Sequence, residues 1–563
     1  MIAKNGTRRR GLSVDPTAAG AATLVLLGVV CCCSARPALG APARRVAHAA
    51  QADLGAVARG LPVHGSLRVD GVRFEGTSTA LELERFEAFA PDAQVVIAGD
   101  HGDFVLPAPD NAYYRGAVEG DLSAVAVLTA RAKGGVRGLI VKNGVPWVIS
   151  DDHGPEQPPG LATRKVDIAR EFAGHPFRCS AVQGPTPSAT SDTRSASLSE
   201  PTAAAAVVNY TARVAVETDY EFFQLFGNST DATDYVGDLF AYASTIYESE
   251  VNTSLLVSYL KLWATSADPW VQTSCSSVLS EFRSYWNQNN GGISRTAAHM
   301  LSGKPTGCGI AYLGVLCNSS YGYGVSGSLY GNFNILSPGV VWDILVVSHE
   351  IGHNFNSPHS HCYNNIGGSS APVDQCYGSE GGCYAGTTSL PCSLGAGHGC
   401  GTIMSYCHLL GGGYGNITLT FGTGFPHGVL PGRIPTRMHD HVVSTAASYP
   451  ACMQFVPPGP TLTPTTTGTA TATAVATATR TPTLAPTRTP TSTSAATPTA
   501  TATRTAVSTA TPTKSVTATV TGTATPPPTA SHTATRSPTL TPTVTNRATP
   551  TATKTPKPRR GKH

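Results

Sequence analysis

With 563 residues the chain has room for about three domains, yet only 13% of its residues are charged, against about 25% in an average globular chain, so low-complexity sequence must dilute the folded part. Fourteen cysteines argue against a cytosolic enzyme and for an exported protein. The formal charge is only +4, and no motif supports nucleic-acid binding.

Residues 1–40 carry Lys4 and Arg8 to Arg10, an apolar run from Ala18 to Cys33, and small residues around Ala38-Leu39-Gly40. That is the layout of a secretory signal peptide cleaved near Gly40. The run is short for a bilayer span of about 20 residues, so no membrane span is expected. Residues 41–200 form a first folded region. Ser66 to Val69 and Ala80 to Glu84 alternate apolar and polar residues, and Val95 to Ala98 and Leu139 to Lys142 are short apolar runs; both patterns predict β-strands. Ser188 to Ala206 is rich in Ser, Thr and Ala, the composition of an exposed, cleavable connection.

A second folded region spans 205–455. Tyr210 to Val216 predicts a strand, Asp231 to Tyr247 a helix, Leu255 to Trp263 a strand, Ser276 to Asn287 a helix, and Thr296 to Leu301 and Cys308 to Cys317 further strands. Tyr321 to Tyr330 is Gly-rich and extended. Next comes an apolar helix, with Ser337 as N-cap and Pro338 at its first position. It ends in HEIGHNFNSPH, residues 349–359.

On a helix His349 and His353, four apart, leave the same face and can close on one zinc ion. Glu350 beside them can take a proton from a metal-bound water, whose pKa zinc lowers from about 15.7 to roughly 7. Asn356 tolerates positive φ and can end the helix, Pro358 prevents its resumption, and His359 swings toward the same metal. From His359 to about Gly415 the chain is rich in Gly and Cys, a lobe that needs disulfide staples. His361, His398 and His408 in that lobe are expected to be ordinary hydrogen-bonding or surface histidines.

From 456 to 563 the sequence is almost entirely Thr, Pro, Ala and Ser, too poor in apolar residues to offset the entropy of ordering, so a disordered tail is expected. It holds eleven Lys and Arg and no acid, so the remainder carries about −7. Such a tail suits a stalk, a spacer or a strip touching a cell surface or glycans, or it has no partner.

The spacing HExxHxxxxxH, followed by Met404 in GTIMSYCH, resembles the metzincin zinc metallopeptidases with their Met-turn, and HEIGHNFNSPH most resembles the reprolysin-like (ADAM and adamalysin) branch. Asn356 stands where that family has glycine, and Ser360 where adamalysins usually have aspartate. The resemblance implies an α/β (α+β) catalytic domain with a twisted mixed sheet, an active-site helix and a disulfide-rich C-terminal lobe, preceded here by a mainly β propeptide. It implies a secreted zinc endopeptidase acting on protein or peptide substrates, with Zn2+ on His349, His353 and His359 and Glu350 as catalytic base. It also implies that the strand before the zinc helix is an exposed edge that pairs with substrate, and Met404 a floor beneath the imidazoles. Tyr406 stands where metzincins of the astacin and serralysin type, but generally not reprolysins, carry a tyrosine that approaches the metal; a packed or solvent-exposed tyrosine is the favoured expectation here.

Cysteine parity points to a latency device, with a thiol of no role or an intermolecular disulfide as the alternatives. With Cys31 to Cys33 removed, ten of eleven cysteines lie in the catalytic region and can pair among themselves. Cys179 is left over, and its thiolate could fill the fourth zinc position, resembling the cysteine switch of matrix and ADAM metallopeptidases. A secreted binding or adhesive protein on a metzincin scaffold is the competing reading; loss of a ligand or of Glu350 would favour it, and all are present.

Overall fold

The computed structural model describes residues 46–49, 54–151, 161–173, 177–184 and 210–456. The expected signal peptide, the 188–206 connection and nearly all of the tail lie outside the described residues.

Within 46–165 the chain folds as an eight-stranded, mostly antiparallel sheet. Alternation decides which faces are buried: Leu67 and Val69 on Ser66–Phe74 face Leu83 and Leu81 on Thr77–Phe86 across the register, and these close a core over the helix Leu54–Gly60. Asn143-Gly144 joins Val136–Lys142 to Val145–Ser150 with both residues at positive φ, the two-residue turn whose twist matches a hairpin.

A mixed sheet carries the second region. Its order is Arg178–Gln183, Cys308–Leu313, Tyr323–Ser326, Ala297–Leu301, Tyr210–Thr218, Thr253–Trp263, Phe89–Gly99, Gly102–Leu106. The expected strands and the helices Ser229–Val251 and Cys275–Asn289 are present, within a few residues of their predicted bounds. Both outer positions are filled by the N-terminal region. Phe89–Gly99 lies parallel to Thr253–Trp263, and Arg178–Gln183 lies parallel to Cys308–Leu313.

Helix Ser229–Val251 is buried nearly all round because the N-terminal sheet covers its outer face. Three of its acids take partners from the N-terminal region. Arg137 pairs with Asp238 and Arg115 with Glu248, while Asp234 accepts from Asn111 at 3.0 Å. Five disulfides use all ten cysteines of 275–452: Cys275–Cys308, Cys317–Cys452, Cys362–Cys383, Cys376–Cys407 and Cys392–Cys400. Cys179 is free and buried. Among the described residues no helix is long and apolar enough to cross a membrane.

Two local expectations need correction. Tyr323–Ser326 is an interior strand between Ala297–Leu301 and Cys308–Leu313, not an edge. Its glycines mark close packing: a Cβ on Gly324 would stand 3.0 Å from His299 Nδ1 and 3.2 Å from Asn354 Oδ1. The strand beside the site is Cys308–Leu313, and Arg178–Gln183 covers it. The helix that carries His349 and His353 runs Gly339–Asn354 with Pro338, not Ser337, at the N-cap position and no side-chain cap of its own. Asn332 does the capping from outside, its side-chain oxygen accepting from Gly339 N–H at 2.9 Å and its carbonyl from Val340 N–H at 2.9 Å.

Candidate metal centre

Every residue of Gly339–Asn354 is buried, as its all-round apolar sequence requires. The helix ends in a Schellman motif: Asn356 at φ 74° gives its N–H to His353 O, and Ser357 gives its N–H to Gly352 O. Arg437, from the C-terminal helix Arg433–Ser448, fastens the turn by donating to Asn356 O at 2.7 Å and to Asn356 Oδ1 at 3.1 Å.

This turn brings the rings of His349, His353 and His359 together, with centroids 4.8–5.4 Å apart. Each Nδ1 is engaged outward. His349 donates to Ile403 O at 2.7 Å, His353 to Ser357 O at 2.7 Å, and His359 to Glu380 Oε2 at 2.8 Å. Those acceptors fix the tautomer, so all three Nε2 lone pairs face inward. The Nε2 atoms of His349 and His359 are buried without a hydrogen-bond partner. Burial lowers all three imidazoles, His353 to about 3 and His359 to about 4, so they are neutral at pH 7.

Cys179 completes the group. Its Sγ lies 3.2 Å from His353 Nε2, and one atom each from Cys179, His349, His353 and His359 falls within 4.8 Å of the others. Three neutral imidazoles and a thiol, buried and with inward atoms unsatisfied, fit a tetrahedral zinc ion and few other metals.

Glu350 lies beside the group, fully buried, with neither oxygen hydrogen-bonded; burial pushes its carboxyl well above the usual range. Gly309 makes room for it, since a Cβ there would sit 2.1 Å from Glu350 Oε1. Gly309 is also the register partner of Cys179, so the strand that brings the thiol lies directly over the glutamate.

The Met404 segment packs against the end of the helix and the chain just beyond it. Its sulfur would touch a Cβ on Gly352, and its carbonyl accepts from Ser360 N–H at 2.9 Å. The Ser360 hydroxyl bonds to buried Asp374, so a carboxylate stands next to the third histidine although the chain lacks one at position 360. Tyr406 packs 4.5 Å from the His359 ring. Its hydroxyl accepts from Cys179 N–H at 3.1 Å and donates to Cys179 O. Phe177 wedges between Trp342 and His349, each 5.6 Å away, and His408 Nε2 is 3.1 Å from Phe177 O.

Residues 208–411 match the sequence profile of Metallo-peptidase family M12 (Reprolysin_5). Over that segment, less than half of the chain, the protein is similar to this metallopeptidase family. Zinc is the metal that this family implies. The chain is also similar to the crystal structure of metalloproteinase-II from Bacteroides fragilis, at 12% identity and TM-score 0.30 over 56% of this chain and 89% of that one. At that score the likeness adds nothing to the assignment. No curated protein matches the chain.

The structure brings together Cys179, His349, Glu350, His353, His359 and Tyr406. Of the other histidines, His361 is buried and bonded to Glu380, His408 is half-buried, and His398 is exposed. Asn332, Gly309, Asp374, Arg437 and Glu380 escaped sequence reasoning. Only Glu380 leaves a signal, as the lone carboxylate between Asp374 and Asp440.

Proposed function

We propose that the protein is a secreted zinc endopeptidase made in a latent form, in which His349, His353 and His359 hold the metal, Glu350 moves the proton and Cys179 closes the site. The observation that carries this reading is the meeting of three inward Nε2 atoms and one thiol at a single buried point beside Glu350. Five disulfides fit an oxidising, extracellular setting.

Zinc in that position supplies a Lewis acid that acidifies water and polarises a carbonyl. The chain's own groups supply the rest. The backbone of Cys308–Leu313 is the ladder on which an extended peptide is held, and it is taken up by Arg178–Gln183 in the latent state. When that segment leaves, Glu350 accepts a proton from the attacking water and hands it to the leaving amine. Tyr406, no longer held by the Cys179 backbone, has its hydroxyl free beside His359, where it can steady the developing oxyanion.

The test uses the full chain, cut within 188–206, because N-terminal strands belong to the catalytic sheet. Casein digestion is compared for wild type, Glu350→Ala and wild type with chelator, with zinc measured in each preparation. Zinc in wild type and Glu350→Ala, with cleavage by wild type alone and its loss on chelation, is expected. Cleavage by Glu350→Ala, or zinc-loaded wild type that cleaves no protein, would contradict the reading.

A further inference from the structure

The three histidines are not oriented alike. His349 and His353 stand on the helix and donate Nδ1–H to backbone carbonyls of adjoining turns. His359 has left the helix, and its Nδ1–H goes instead to a carboxylate, Glu380 Oε2. The same oxygen accepts from His361 Nε2 at 2.9 Å. The two imidazoles lie parallel, 8° apart in plane and 5.4 Å between centroids, so one carboxylate oxygen bridges a matched pair of rings.

Glu380 belongs to a stretch with no helix or strand, yet its place is secured three ways. The Cys362–Cys383 disulfide ties the loop to the chain just past His359. Tyr384 N–H donates to His361 O at 3.0 Å, and Cys383 N–H to Glu380 O at 3.2 Å. Burial alone would raise the Glu380 carboxyl, but the bonds from His359 and His361 outweigh it and hold it below the usual carboxylate range. These side chains are not a second metal site, because Cys362 is in the disulfide and the inward nitrogen of His359 belongs to the main group.

We propose that Glu380 is a positioning residue for the metal: it locks His359 in the tautomer and ring plane that aim Nε2 inward and makes that imidazole the better donor, with His361 holding the carboxylate in line. The proposal rests on the reading of His359 as a ligand. A carboxylate behind a ligating histidine typically contributes 10- to 100-fold in metal affinity. The disulfide then acts on zinc retention through Glu380, because it ties the carboxylate's loop to the chain just past His359.

The experiment is zinc affinity by competition with a chromophoric chelator, on the full chain of wild type, Glu380→Gln, Glu380→Ala, His361→Ala and His349→Ala, beside thermal unfolding of each metal-free protein. Glu380→Ala is expected to bind zinc about 10- to 100-fold more weakly than wild type, with Glu380→Gln and His361→Ala between, while metal-free Glu380→Gln unfolds with wild type. His349→Ala is the control for the ligand reading and should lose zinc. Wild-type affinity in both Glu380 variants, with zinc lost in His349→Ala, overturns this proposal and leaves the ligand reading standing. Metal-free Glu380→Gln that unfolds well before wild type would make the residue structural and also overturn it. Zinc retained by His349→Ala, or absent from wild type, overturns both.

Discussion

The N-terminal region meets the catalytic sheet at both edges, and the two meetings are built differently. At one edge Phe89–Gly99 and Gly102–Leu106 extend the sheet, Phe89, Val95 and Ile97 join the same core as the catalytic helices, and Arg137 and Arg115 neutralise carboxylates buried on Ser229–Val251. At the other edge a single strand, Arg178–Gln183, lies over the site, joined by a backbone ladder, the thiol near His353 and the Tyr406 hydroxyl. Removing the first leaves Asp238 and Glu248 buried without their cations, a large cost. Removing the second uncovers groups whose inward atoms have no protein partner and which water and substrate can satisfy. The first contact is therefore architecture and the second a cover.

The largest expected effect is at the architectural edge. Arg137→Ala leaves Asp238, which has no exposed surface, without its cation and should cost on the order of 3–5 kcal/mol in denaturant unfolding; a loss under about 1 kcal/mol would make that edge as dispensable as the other. By the same logic, wild type cut within 188–206 should keep its two pieces together on gel filtration, and their separation would break the distinction.

Between the edges, Glu217 is raised from 4.5 to about 7, burial outweighing its bonds from Trp263 and Trp286. The folded pKa lies above the unfolded one, so the folded state holds this proton more tightly. Its contribution is fully present below pH 4.5 and lost as pH rises through about 7, in total on the order of 3 kcal/mol. Glu217→Gln should flatten that part of the stability profile; an unchanged slope between those pH values would show that the carboxyl ionises freely in the sheet.

At the cover, Cys179→Ala should raise peptide cleavage by the uncut chain about tenfold or more, equivalent to roughly 1.4 kcal/mol, with the backbone ladder still limiting it. A variant as latent as wild type would assign latency to the ladder alone. The smallest effect belongs to Asp92, 70% exposed in its pair with Arg213. Asp92→Ala should cost about 0.2–1 kcal/mol, and a larger loss would mean that surface pairs hold the architectural edge.

Much of the site was legible because its determinants are local. The spacing of His349, His353 and His359 and the turn at Asn356 are set within one helix and its cap, and cysteine parity singled out Cys179. What was not legible comes from chain far away. Val95 to Ala98 announces a strand by its apolar run, but nothing local says that it joins Thr253–Trp263 and not the sheet around it. The resemblance implied an exposed edge at the Gly-rich stretch Tyr321 to Tyr330, whereas Gly324 serves close packing against His299 and Asn354. Asn332 caps a helix that lacks its own cap, and Glu380 reaches a histidine 21 positions away. Side-chain partners across loops leave no period in a sequence.

The most direct test of the account is zinc-edge X-ray absorption on the full, uncut chain. One zinc bound by three nitrogens and one sulfur, at about 2.0–2.1 Å and about 2.3 Å, is the predicted shell, with the sulfur absent in Cys179→Ala. A shell with no sulfur in the uncut wild type, or folded protein without zinc, would contradict it.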